Sequence, residues 1–195
     1  MLATAVFVSP QSNTPRATTY AIRAAFGNGS GVLIAPNYLL TAAHVAIVKD
    51  LHVSYKGFKL PVEVVRLDET KDIALVKVLG MECPCAPIAD VSPAIDEKIT
   101  TVGFPMEGLI KTQITTQGTK QGNDARDFVQ YTSPVGPGNS GGGVFNERGE
   151  LVAIVSSIII APTGFIGFPL THIMQAVSVE TIREWLIPAN VKAVL

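Results

Sequence analysis

Residues 138–142 read Gly138-Asn139-Ser140-Gly141-Gly142, a hydroxyl on a loop with almost no side-chain bulk. That composition suits attack on a carbonyl. The carbonyl oxygen must come within about 3 Å of backbone N–H groups that hold its developing charge, and glycine admits that approach and the positive φ that aims those groups. A serine hydroxyl is a weak nucleophile until a base takes its proton. Of three histidines, His44 follows the apolar run Leu39-Leu40-Thr41-Ala42-Ala43, and imidazole titrates near neutrality, as a group that takes and returns a proton must. Asp72 opens Ile73-Ala74-Leu75-Val76, apolar at consecutive positions, where an unpaired carboxylate would cost several kcal/mol. His44 is one partner for it. Each residue also has an ordinary reading. Gly/Ser runs form turns and linkers, a buried histidine can bond a carbonyl, and Asp72 can pair with Lys71 at the surface for at most about 1 kcal/mol.

The elements that must bring the three together are short and β-rich. Predicted strands are Tyr20–Phe26, Gly31–Ala35, His52–Tyr55, Lys59–Leu67 and Ile73–Val78, then Ile99–Val102, Thr112–Gln117, Phe128–Tyr131, Gly143–Phe145, Leu151–Ile160 and Phe165–Phe168. In Lys59–Leu67, Leu60, Val62 and Val64 alternate with Lys59, Pro61 and Glu63, the pattern of a strand with one buried face. The polar stretch Thr119–Asp127 reads as a loop. Gly80–Pro93, with three prolines and both cysteines, reads as a connection between two β lobes, which divides the chain into 1–82, a linker 83–96, and 97–195. Near the end, Ser178 can cap a helix with Ile182, Trp185 and Leu186 on one face, ended by Pro188.

Composition excludes several functions. The 195 residues are 47% hydrophobic and 16% charged, enough for a packed core, and the net charge of −1 without a like-charge run argues against nucleic acid or an anionic membrane as partner. The apolar run Leu151–Pro162 is broken by Ser156 and Ser157 and too short to span a bilayer. Cys83 and Cys85, separated only by Pro84, are expected as free thiols, being poorly spaced for a disulfide with each other and too few for zinc. That fits a reducing compartment. Met1–Pro10 lacks the charged start of a secretory signal, so the expected location is cytoplasmic or intracellular, or secreted or periplasmic if a leader has been removed. Gly27-Asn28-Gly29-Ser30-Gly31 leads into a strand, which sets a phosphate loop aside. No motif fixes an oligomeric state.

The ordered motifs resemble trypsin-like serine endopeptidases of the chymotrypsin fold, most of all the protease domain of the HtrA (DegP-like) group. They are Gly29-Ser30-Gly31-Val32-Leu33-Ile34, Leu40-Thr41-Ala42-Ala43-His44-Val45, Asp72-Ile73-Ala74-Leu75-Val76, Val102-Gly103-Phe104-Pro105, Gly138-Asn139-Ser140-Gly141-Gly142 and Gly149-Glu150-Leu151-Val152. The resemblance implies an all-β fold of two six-stranded antiparallel barrels with a C-terminal helix, and hydrolysis of polypeptides through an acyl-enzyme without metal or cofactor. It makes Ser140 the nucleophile, His44 the base, Asp72 the orienting acid, and the N–H groups of Gly138 and Ser140 the oxyanion hole. Substrate would lie along Ser156, against walls that include Val135, Ser157, Ile158 and Phe168. Pro134 stands where Lys- and Arg-selective members carry an acid, so small or medium apolar P1 residues are expected. The alternatives are a viral or phage processing enzyme that takes Gln or Glu through His172, and a catalytically silent peptide-binding protein. The stretch after Ser140 completes a barrel and a helix and is too short for the PDZ module of HtrA proteins.

Overall fold

A computed structural model describes residues 13–25, 27–105, 112–124, 128–163 and 166–187, with side chains described outside 158–172. After a one-turn helix α1 (Pro15–Thr18), the first lobe is built from β1 (Thr19–Ala24), β2 (Gly27–Ala35), β3 (Tyr38–Thr41), a short helix α2 (Ala43–Ala46), β4 (His52–Tyr55), β5 (Phe58–Pro61), β6 (Glu63–Asp68) and β7 (Ile73–Lys77). Every pairing is antiparallel, in the order β5-β4-β1-β2-β3-β7-β6. The second lobe holds β8 (Lys98–Gly103), β9 (Ile114–Asn123), β10 (Val129–Thr132), β11 (Gly143–Phe145), β12 (Leu151–Thr163) and β13 (Ile166–Ser178), closed as the barrel β10-β13-β12-β11-β8-β9. Helix α3 (Val179–Leu186) follows. The Ser178 hydroxyl accepts from the Thr181 N–H at 3.2 Å, and Val179, Ile182, Trp185 and Leu186 are buried.

The architecture is all-β with one six-stranded barrel, as expected, while the first lobe is a curled seven-stranded sheet instead of a second six-stranded barrel. The extra strand comes from Lys59–Leu67, which breaks in two. Pro61 has no N–H to give a ladder, and the Val62 amide turns to the Leu51 carbonyl at 3.1 Å. β5 then pairs with β4, and β6 with β7, at opposite edges of the sheet. Because only Val62 separates β5 from β6, the sheet must curl until its edges approach each other. The predicted alternation fails beyond the break, where Val64 and Val65 are both exposed. The predicted loop Thr119–Asp127 is corrected over residues 119–123, while 125–127 lie outside the described residues. β9 extends to Asn123, paired with β8 as far as Thr119 and with β10 from Lys120 to Asn123, so ladder hydrogen bonds override its polar composition.

Cys83 and Cys85 form a disulfide, contrary to the expectation of free thiols. The chain bends at Cys-Pro-Cys until the two Cα atoms are 4.5 Å apart, inside the span a disulfide bridges. The argument for a reducing compartment falls with it. The segment beyond touches both lobes: the Ala86 amide donates to Leu33 at 2.8 Å, and the Leu151 amide donates to Pro87 at 2.7 Å.

Strands β2, β3 and β7 explain how the lobes join. Val32, Ile34, Leu40, Ile73 and Leu75 belong to the core shared with the second barrel. Leu33, Leu39, Ala74 and Val76, their neighbours in sequence, face the core of the first lobe. Side chains alternate with period two, so these strands are apolar at consecutive positions because both faces are covered. Their ends at Thr41 and Ile73 therefore open at the junction between lobes.

Candidate active site

His44 and Asp72 lie just past those two strand ends. β3 pairs with β7 so that Thr41 faces Ala74. Directly after Thr41 the chain turns into α2, whose N-cap, Ala42, has no side chain able to accept the free amides of the first turn. The Asp72 carboxylate accepts one of them, from the backbone N–H of His44 at 3.1 Å. Both Asp72 oxygens also lie 3.0 Å from His44 Nδ1. Asp72 adopts φ 51°, a left-handed conformation that aspartate tolerates better than most residues. A carboxylate only accepts, so Nδ1 carries the ring proton and Nε2 keeps its lone pair.

Asp72 is further held from the second lobe, where the Ser156 hydroxyl donates to Oδ2 at 2.5 Å. The Ser140 hydroxyl donates to the Ser156 carbonyl at 3.1 Å. Ser156 thus touches the acid with its side chain and the Ser140 hydroxyl with its main chain. Residues His44, Val135, Gly136, Pro137, Ser140, Val155, Ser156 and Ser157 line one cleft of about 380 Å³ between the lobes.

The loop bearing Ser140 is anchored by its own backbone. Gly141 donates to Val155 at 2.7 Å, Val155 to Gly142 at 2.9 Å, and Asn139 to Gly136 at 3.0 Å. Gly138 and Gly141 have φ of 97° and 81°. Among the described residues, nothing accepts from the amides of Gly138 or Ser140, which leaves both available to a ligand oxygen.

Residues 29–154 match the Trypsin-like peptidase domain family. The chain belongs to that family. It is 31% identical over 148 residues to a probable periplasmic serine endoprotease DegP-like from Pseudomonas savastanoi pv. phaseolicola, covering 71% of this chain and 31% of the relative. A similarly described protein of Chlamydia pneumoniae is 30% identical over 151 residues, covering 71% and 30%. The chain therefore spans under a third of the length of these curated relatives. Its fold resembles the active form of the Rv3671c protease of M. tuberculosis, with TM-score 0.77, 20% identity, and 92% and 82% of the two chains covered. The HtrA-type protease AlgW with tripeptide gives TM-score 0.75 at 21% identity over 91% of this chain and 61% of that one.

Within this trypsin-like domain each member of the pair shifts the other toward its charged form. The hydrogen bond to Asp72 raises the His44 pKa above 6.5, opposed by partial burial and aided by the carboxylate's charge. Burial pushes the Asp72 carboxyl up. The hydrogen bonds from the His44 ring, Ser156 and the His44 backbone together outweigh it and hold the carboxyl below 3.8.

The structure gathers His44, Asp72, Gly138, Ser140, Val135, Ser156 and Ser157 at the lobe junction. Ile158, Phe168 and His172 lie on β12 and β13, and their side chains fall outside the described residues. One contributor went unrecognised in the sequence. Ser30, fully buried on β2, donates from its hydroxyl to Gly138 at 2.8 Å and from its amide to Ser140 at 2.8 Å, and accepts from the Phe104 amide at 2.9 Å. A polar side chain between two glycines inside an apolar strand was the available signal.

Proposed function

We propose that the chain is a serine endopeptidase acting through an acyl-enzyme, with Ser140 as nucleophile, His44 as base and Asp72 as orienting acid. The observation that carries this reading is the run of contacts from His44 through Asp72 and Ser156 to Ser140, which crosses the lobe junction and opens on one cleft. For reaction, the Ser140 hydroxyl leaves the Ser156 carbonyl and turns to His44 Nε2. Such bonds often tighten only once substrate is bound. Oγ attacks the scissile carbonyl carbon while Nε2 takes its proton, and Asp72 stabilises the imidazolium. The oxyanion is held by the amides of Gly138 and Ser140. As the C–N bond breaks, His44 returns the proton to the leaving amine. Water then repeats the sequence on the acyl-enzyme and frees Ser140.

The substrate on this reading is a polypeptide with a small or medium apolar P1 residue. Val135, Pro137 and Val155 line the cleft, and among the described residues His44 is the one ionisable side chain in the lining. The edge of β12 is taken up by β11 as far as Ile154 and by Gly141 and Gly142 at Val155, and an added peptide strand would pair beyond that point. The Cys83–Cys85 disulfide and the relatives described as periplasmic support an oxidising compartment. A fluorophosphonate probe tests the chemistry. The parent protein is expected to be labelled at neutral pH and Ser140→Ala to remain unlabelled. A folded parent that resists labelling would rule the reading out.

A further inference from the structure

Ser157 and Gln175 face each other across β12 and β13. The pairing slips between Val155 and Ser157, so two consecutive serines serve different sites: Ser156 reaches Asp72, while Ser157 donates to Gln175 Oε1 at 3.0 Å. Gln175 is only 9% exposed, and its Nε2 donates to Asp124 Oδ2 at 2.6 Å. The other Asp124 oxygen accepts the Phe128 amide at 3.0 Å, which ties the carboxylate to the connection between β9 and β10. Chemistry forces the direction of this chain. An ionised carboxylate only accepts, so the NH₂ of Gln175 must face Asp124 and its carbonyl must face Ser157. The Ser157 hydroxyl must then give its single proton to Gln175. What it shows on its other side is a pair of acceptor sites, and Ser157 is exposed in the same cleft as His44 and Ser140.

We propose that Asp124 and Gln175 are positioning residues that fix the Ser157 hydroxyl as a hydrogen-bond acceptor in the cleft. The cleft then favours peptides that present a donor there, the side chain of Gln, Asn, Ser or Thr, over peptides that place Glu or Asp at the same position. A carboxylate set against a hydroxyl whose proton is already committed has no proton to share. This selection adds a polar requirement to an apolar cleft and rests on the cleft being a peptide site.

Binding, measured without cleavage, tests it. Fluorescein-labelled alanine heptapeptides carrying one Gln, Glu, Thr or Val at successive positions are titrated by anisotropy against Ser140→Ala. At one position Gln and Thr are expected to bind roughly tenfold tighter than Glu, as one hydrogen bond gained against one acceptor left unpaired predicts. Adding Gln175→Met or Asp124→Asn should bring that ratio within about twofold, with Val peptides little changed, because a freed Ser157 can donate as well as accept. A merely structural role would weaken all peptides together and leave the ratio intact. Ser157→Ala, at an exposed position, should erase the ratio without threatening the fold. Equal affinity for Gln and Glu at every position overturns the proposal, as does a ratio that survives Gln175→Met. Failure of every peptide to bind at millimolar concentration overturns the peptide-site reading and this proposal with it. A retained ratio in a protein whose Ser140 resists fluorophosphonate overturns only the catalytic reading.

Discussion

Asp72 Oδ1 accepts from His44 twice, from the backbone N–H at 3.1 Å and from ring Nδ1 at 3.0 Å. One contact fixes where the first turn of α2 begins, and the other fixes how the ring sits on it. A single carboxylate therefore sets both the position and the tautomer of the proposed base.

Asp72→Asn separates those two duties. Asparagine can still accept the backbone N–H, so the fold should hold. Its amide cannot stabilise an imidazolium and can enforce the other tautomer. Turnover of a peptide amide is expected to fall by roughly 10⁴-fold, with the circular dichroism spectrum unchanged. An effect under tenfold would show that Asp72 does not orient the base.

The same pair sets the pH profile. With His44 as the proposed base, activity requires its neutral form, and its pKa is raised above 6.5, so the acidic limb of kcat/KM is expected to have its midpoint above pH 6.5, moving lower in Asp72→Asn. For stability the sign reverses with the group. A raised His44 contributes fully below its unfolded pKa of about 6.5 and loses that contribution as pH rises through the folded value. A lowered Asp72 contributes above its unfolded value of about 3.9 and loses that as pH falls through the folded one. The difference in urea midpoint between the parent and His44→Ala should therefore peak between roughly pH 4 and 6.5.

Much of this was legible in the sequence because its causes are local. Ser140 on a glycine-rich loop reads as a nucleophile, His44 behind an apolar strand as a base, Asp72 opening a strand apolar on both faces as its acid, and Ser178 as a helix cap. What escaped depends on partners remote in sequence. Pro61 looked like one outward position of a long strand, and the Val62 amide that breaks it finds its acceptor at Leu51. Residues 119–123 looked like loop because polar composition does not reveal the strand β10 that pairs with them. Ser30 and Gln175 gained roles only when folding brought Gly138, Ser157 and Asp124 beside them.

Gly141 should not tolerate alanine. Its φ is 81°, and an added Cβ would run into the Ser30 carbonyl and the Thr41 hydroxyl, with the Ala42 amide 3.0 Å away. The left-handed conformation alone costs a non-glycine residue about 1–2 kcal/mol. The crowding adds to it, since two of those three atoms are main chain. Gly141→Ala is expected to lower Tm by more than about 4 °C and to reduce fluorophosphonate labelling, because the Gly141 amide anchors the loop to Val155. Gly122→Ala is the control: a Cβ there meets nothing within 4 Å, and Tm should stay within about 2 °C of the parent.

Arg66 ties the edge strand β6 to the helix α3. Its guanidinium lies 4.5 Å from the centre of the Trp185 ring and donates to the Trp185 carbonyl. That carbonyl belongs to the last turn of α3, where a cation is favoured by the helix dipole. Cation–π attraction contributes about 0.5–2 kcal/mol, and a charged hydrogen bond about 1.5–3 kcal/mol. Arg66→Ala is therefore expected to lower Tm by about 4–20 °C. Arg66→Lys should recover only part of the loss, since an ammonium cannot stack flat on the ring while bonding the carbonyl. Neither residue lines the cleft, so kcat/KM at 25 °C should stay within about twofold of the parent. A loss of activity exceeding the loss of folded protein would mean that the clamp between β6 and α3 also holds the lobes in register at the cleft.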